Sequence, residues 1–189
     1  MSPTAHSLAR LMLALVLLGP VARLDETVQR AVQDARRPAL EGIMRTASGT
    51  SRASFVLGGL LAVAVLGGPA GPATARAAIL VLAPVNLAVE GLKWGVDRER
   101  PDGERQRSNS SFPSSHAANA ASLAVVFSRR WRRLAPAFWS LAALVAFSRI
   151  YLNRHFLSDI LCGVAIGVGI GLVALNWLRA RGWSWEQKT

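Results

Sequence analysis

Residues 160–178 read ILCGVAIGVGIGLVALNWL, without a single charge. A hydrocarbon layer about 30 Å thick is crossed by roughly 20 apolar residues in a helix, so this stretch predicts a membrane-spanning helix. Gly163, Gly167 and Gly171 recur in it every four residues, with Gly169 between them. No strand precedes them, as a dinucleotide-binding turn would require. The spacing predicts a small-residue face against which another helix packs closely.

Working outward, comparable apolar runs occupy residues 8–24, 53–68, 77–92, 117–128 and 134–147. The expected fold is therefore all-α. It is a polytopic membrane bundle of six transmembrane helices forming one domain, residues 1–189. The first run has a rival reading, because Arg10 followed by apolar residues 11–18 also fits a secretory signal peptide. Residues 25–52 intersperse arginines and acids with Val28, Val32, Leu40, Ile43 and Met44. They predict an amphipathic segment lying at the membrane interface after the first span, with a solvated connector as the rival reading. Gly67 to Pro72 reads GGPAGP and predicts a tight turn. Residues 97–114 are polar and predict an exposed loop.

Composition agrees with a membrane protein. Hydrophobic residues make up 51% and charged residues 17%, with a mean hydropathy of +0.30. A soluble domain carries about a quarter charged residues, so a water-soluble globule and a disordered chain are both disfavoured. The lone Cys162 excludes an internal disulfide framework and a cysteine-rich zinc site. The net charge is +11. Its arginines are scattered between apolar runs, which favours a membrane surface and a phosphorylated ligand over nucleic acid. The turn Arg129-Arg130-Trp131-Arg132-Arg133 is the strongest topogenic signal and puts both termini in the cytoplasm. A plain count of basic residues runs the other way.

Three polar groups interrupt this pattern. The first is Lys93 to Pro101, KWGVDRERP. The second is Ser111 to His116, SFPSSH. The third is Ser148 to Asp159, SRIYLNRHFLSD. Alternating spans put all three on one side of the membrane. Ionisable residues there are costly and mark function.

These groups resemble the motifs of the type-2 phosphatidic acid phosphatases, the integral-membrane lipid phosphatases of a superfamily that includes bacterial acid phosphatases and vanadium haloperoxidases. Lys93, Arg100 and Pro101 fit the family's lysine, six residues, Arg-Pro. Pro113, Ser114 and His116 fit its Pro-Ser-Gly-His, with Ser115 in place of the glycine. Ser148, Arg149, His155 and Asp159 fit its third motif at every fixed position. The resemblance implies a lipid phosphatase acting on a phosphomonoester or diphosphate. Undecaprenyl diphosphate is slightly favoured over phosphatidic acid, phosphatidylglycerol phosphate or a lipid A phosphate. It also implies a bacterial cytoplasmic membrane, with the site facing outward.

The residues suit that chemistry. Lys93, Arg100 and Arg149 would hold the phosphate charge, and arginine's fork matches two oxygens at once. Ser114 would donate its hydroxyl, and the N–H groups at Ser115 and His116 begin a helix, which favours an anion. His155 is the expected nucleophile, forming a phosphohistidine. Asp159, four residues on, is expected on the same helical face, accepting the other ring N–H. His116 is the expected general acid and then base. No metal or cofactor is expected, since no His-Glu-x-x-His or cysteine cluster is present. Glu90 is expected to pair with Lys93 or another basic group, in a structural role rather than a catalytic one. The alternative from another class is a noncatalytic membrane protein that binds anionic lipid or passes phosphate. It would need the cations but not His155 with Asp159.

Overall fold

The computed structural model describes residues 19–104 and 109–184. Its elements, in chain order, are all helical. Pro20 opens α1 (Pro20–Asp34) and Pro38 opens α2 (Pro38–Gly49). Proline suits a first turn, where its missing N–H has no partner to lose. It also drives the preceding residue out of the helical region, and Arg37 is extended at φ −123°, ψ 130°. The expected amphipathic segment is therefore two helices with a break at Ala35 to Arg37.

Helix α3 (Ala53–Leu66) leads through a 3-10 turn, Gly68–Ala70, into α4 (Gly71–Gly95). This is the turn predicted from GGPAGP. A polar loop then reaches α5 (Ser115–Arg130). A second 3-10 turn, Arg132–Leu134, joins it to α6 (Ala135–Tyr151), and a short loop leads to α7 (Leu157–Ala180). Five of the six expected spans thus correspond to α3 to α7. The first, residues 8–24, lies outside the described residues except for its end, which belongs to α1.

Among the described residues, three helical segments are long and apolar enough to cross a bilayer, Gly68–Gly95, Arg132–Tyr151 and Leu157–Ala180. Helices α2 and α3, bent by 66° at their junction, form a fourth apolar unit. Helix α5 is short, and its sequence is rich in Ala and Ser. The reason is its position. It packs against α4, α6 and α7 together, so its surface meets protein rather than lipid.

Small residues make that central position possible. The core combines Ala77, Ala78, Val81, Val85 and Val89 of α4 with Ala118, Val125 and Val126 of α5 and Leu175 of α7. A Cβ on Gly167 would stand 2.2 Å from the Ala118 carbonyl oxygen, and one on Gly163 would stand 2.5 Å from that of Ser114. The glycine face therefore lies directly on the α5 backbone, as its spacing predicted. The large apolar side chains face outward instead, including Leu57, Leu61, Leu66, Leu87 and Val173. In lipid, close backbone packing holds helices together because the tails are as apolar as leucine.

Gly167→Val should destabilise the fold by on the order of 1–3 kcal/mol or more. Gly169→Val should be tolerated, since nothing lies within 4 Å of its Cβ position. Thermal melting in detergent separates the two variants.

Candidate active site

The loop between α4 and α5 was expected to be exposed. Much of it is buried, because it carries the cation that holds the site together. Arg98 is 9% exposed. Its Nη1 donates to Asp159 Oδ1 at 2.5 Å and to Ser158 Oγ at 2.7 Å, and its Nη2 donates to Asp25 Oδ2 at 2.8 Å. The guanidinium also lies over the Phe156 ring, 4.4 Å from its centre. Two buried carboxylates, from α1 and α7, thus share one arginine.

Both carboxylates are further satisfied. Asp25 Oδ1 accepts from the Ser158 N–H at 2.9 Å, and its Oδ2 accepts from the Ser158 hydroxyl at 2.6 Å. Asp159 Oδ2 accepts from the Phe156 N–H at 2.8 Å, capping α7, and from the Ser111 hydroxyl at 2.6 Å. A buried ion pair is tolerable when its remaining lone pairs are met in this way.

The three sequence motifs are also joined through backbone. The Ser114 N–H donates to the Asp159 carbonyl at 3.1 Å, and the Arg154 N–H to the Arg149 carbonyl at 2.9 Å. Arg100 Nη1 donates to the Arg154 carbonyl at 3.2 Å. Helix α1 clamps the end of α6. Gln33 Nε2 donates to the Ile150 carbonyl at 3.0 Å, and Gln29 Nε2 to Asn153 Oδ1. Asn153 sits at φ 59°, a left-handed conformation that asparagine adopts more readily than most residues.

His155 follows this turn and is 2% exposed. Its Nδ1 lies 2.7 Å from the Ser111 carbonyl oxygen. A carbonyl only accepts, so Nδ1 carries the hydrogen and Nε2 keeps the lone pair. The Asp159 carboxylate stands 3.8 Å from Nδ1, beyond hydrogen-bond distance. The expected direct bond is replaced by a relay, because His155 precedes α7 and the two residues do not share a helical face. Asp159 holds the Ser111 side chain, and the Ser111 carbonyl holds the ring. Burial, with the charges of Arg149 and Arg100 adding to it and Asp159 opposing, lowers the His155 pKa to about 4. The ring is neutral at pH 7.

Arg149 and His116 line a polar cavity of about 430 Å³. Arg149 Nη1 donates to the Ser48 hydroxyl, while its buried Nε has no partner among the described residues. Lys93, Arg100, Arg149 and the His155 ring all lie within electrostatic range of His116. Lys93 is buried and donates to Glu90 at 3.2 Å, as expected. Arg100 turns into its own loop, donating from Nε to the Asn109 carbonyl and from Nη2 to Asn109 Oδ1. The Ser114 hydroxyl caps α5, accepting from the Ala117 N–H at 3.4 Å, with Ser115 as the first helical residue. A larger groove of about 710 Å³, between α4 and α7, is apolar and contains no motif residue.

Sequence reading missed Asp25, Arg98, Ser111 and Ser48. Arg98 lies inside the first motif, yet its partners are 61 and 73 residues away in the chain. Nothing in sequence pairs them. Among the described residues no cluster of three or more His, Cys, Asp or Glu is arranged to hold a metal ion.

Residues 74–183, more than half of the chain, match the PAP2 superfamily. The lipid A 1-phosphatase of Porphyromonas gingivalis is 37% identical over 83 residues, 42% of this chain. The matched stretch spans only 18% of that protein's length. The decaprenylphosphoryl-5-phosphoribose phosphatase of Mycobacterium tuberculosis is 33% identical over 155 residues, covering 77% of this chain and 84% of that one. In fold, the crystal structure of a transmembrane PAP2-type phosphatidylglycerolphosphate phosphatase from Bacillus subtilis matches with a TM-score of 0.75. It covers 94% of this chain and 96% of that chain at 23% identity.

Two measurements test the site as described. Ring nitrogen shifts of His155 should show the neutral Nδ1–H tautomer at pH 6, with protonation only as the pH falls through about 4. A free histidine would already be largely protonated at pH 6. Arg98→Ala leaves two carboxylates buried and unpaired, and should lower stability by roughly 3–5 kcal/mol in a thermal or denaturant melt.

Proposed function

The chain belongs to the PAP2 superfamily, and on that premise we propose that it is an integral-membrane lipid phosphatase working through a phosphohistidine intermediate. The observation that carries this reading is the state of His155. The imidazole is buried and neutral, and its Nδ1–H is committed to the Ser111 carbonyl, so Nε2 is left as a nucleophile.

His155 Nε2 attacks phosphorus, the P–N bond forms, and the bond to the leaving oxygen breaks. His116 gives that oxygen its proton. The same ring then takes a proton from water, which attacks phosphorus, releases inorganic phosphate and restores His155. Lys93, Arg100 and Arg149 stabilise charge on the nonbridging oxygens, and the anionic substrate in turn favours the protonated His116. The unpartnered Arg149 Nε is a ready donor. The Ser114 hydroxyl and the N–H groups of Ser115 and His116 add donors at the start of α5. Asp159 acts at one remove, by holding Ser111 and Arg98. No step uses a metal or cofactor.

The substrate is a phosphorylated lipid, and the apolar outer faces embed the chain in the bilayer. Undecaprenyl diphosphate is the favoured candidate, beside phosphatidic acid, phosphatidylglycerol phosphate and lipid A phosphates. The relatives named for lipid A and decaprenyl substrates support a lipid phosphate without choosing among them. Helix α5 runs from Ser115 to Arg130, so the catalytic end and the basic turn lie at its opposite ends. With that turn in the cytoplasm, the site faces the periplasm or cell exterior of a bacterial cytoplasmic membrane.

Purified protein in detergent with chelator should release phosphate from a panel of lipid phosphates. His155→Ala should cut kcat by about 10³-fold or more. Quenching wild type during turnover in alkaline denaturant, where the P–N bond survives, should trap phosphate on His155. Unchanged turnover in His155→Ala would refute the nucleophile, and strict metal dependence would refute the mechanism.

A further inference from the structure

The polar cavity is more cationic than one phosphoryl group requires. Besides His116 and Arg149 it is lined by Arg36, Arg45, Arg52 and Arg154. Arg154 is neutralised by Asp102 at 2.9 Å and Glu104 at 2.8 Å. Arg36 and Arg45 share one carboxylate, Glu41, at 3.2 and 2.5 Å. Arg52 has no ion pair among the described residues, and its charge acts on Arg149. The α1–α3 segment therefore brings three arginines and one acid to this wall, beyond the cations of the three motifs.

Their position is fixed by the catalytic arginine. Arg149 donates to Ser48 of α2. Arg45 lies one turn before Ser48, and Arg52 lies just past the bend, at the start of α3. The bond to Ser48 thus holds this second set of cations beside the phosphate arginine. Like charges crowded at one cavity repel unless an anion joins them.

We propose that Arg45 and Arg52, with Arg36, form a second anion subsite for a phosphate-type group adjacent to the scissile phosphoryl. The substrate class is then a lipid whose head group carries two such groups, a diphosphate above all. This inference rests on the phosphatase reading and narrows its substrate. The same chemistry has two sources, the substrate's own second phosphate or the head group of a neighbouring anionic lipid. The structure assigns the first, because Arg45 and Arg52 line the same cavity as His116 and the arginine that holds the phosphate under attack.

The test compares a prenyl diphosphate with a prenyl monophosphate in uncharged detergent. Arg45→Gln/Arg52→Gln should lower the ratio of their kcat/KM values by about ten- to a hundredfold, the scale of one or two charge-assisted hydrogen bonds. Arg30→Gln, at an exposed residue that does not line the cavity, should leave the ratio unchanged. An equal loss on both substrates overturns the proposal. So does a loss seen only in vesicles containing anionic lipid, which would make a neighbouring head group the occupant. A binding arm stands apart from turnover. Wild type should bind a nonhydrolysable prenyl bisphosphonate at least about tenfold more tightly than the monophosphonate, and the double variant should not. Equal binding by wild type overturns the subsite even if phosphate is released, and preferential binding without any turnover would count against the phosphatase reading alone.

Discussion

A single guanidinium, Arg98, carries the arrangement of the site. It joins Asp25 at the start of the described chain to Asp159 at the start of α7, and does so from the loop that leads into α5. Each charge is nearly or fully buried. None would be tolerable alone, since a buried unpaired charge costs several kcal/mol. The arrangement therefore fixes three segments against one another, and the polar ends of α1, α5 and α7 cannot drift apart independently.

His155, the proposed nucleophile, inherits that rigidity. Asp159 holds the Ser111 hydroxyl, and the Ser111 carbonyl fixes the ring of His155. One serine thus transmits the position of a carboxylate to an imidazole it does not touch. The neutral ring follows from burial, and the fixed tautomer follows from the carbonyl, which only accepts. An imidazole fixed in this way would have little reorganisation left to do in the proposed attack on phosphorus.

The membrane-embedded part serves the same end by another route. Helix α5 approaches α7 closely because Gly163 and Gly167 lack side chains where Ser114 and Ala118 pass. Gly163 faces the carbonyl of Ser114, the residue that caps α5 and belongs to the second motif. Helix packing and loop geometry are thus set at the same point. On the other side of the cavity, Ser48 ties α2 to Arg149, so α2 is joined to the candidate site.

The apolar runs determined the helices, because a bilayer admits only segments whose backbone polar groups are satisfied internally. The glycine spacing determined which face of α7 packs. The motif spacings singled out His116, His155, Arg149, Lys93 and Asp159 as residues of one site. What the tertiary structure decided was how they connect. The burial of a highly charged loop was invisible locally, because Arg98 finds its partners 61 and 73 residues away. The carbonyl of Ser111 as the ring's acceptor was equally hidden, since every residue has a carbonyl and only the folded backbone shows which one meets an imidazole. Sequence records which groups a chain owns. Pairing between distant groups depends on where helices end and loops turn inward, and that is fixed only when the helices have packed.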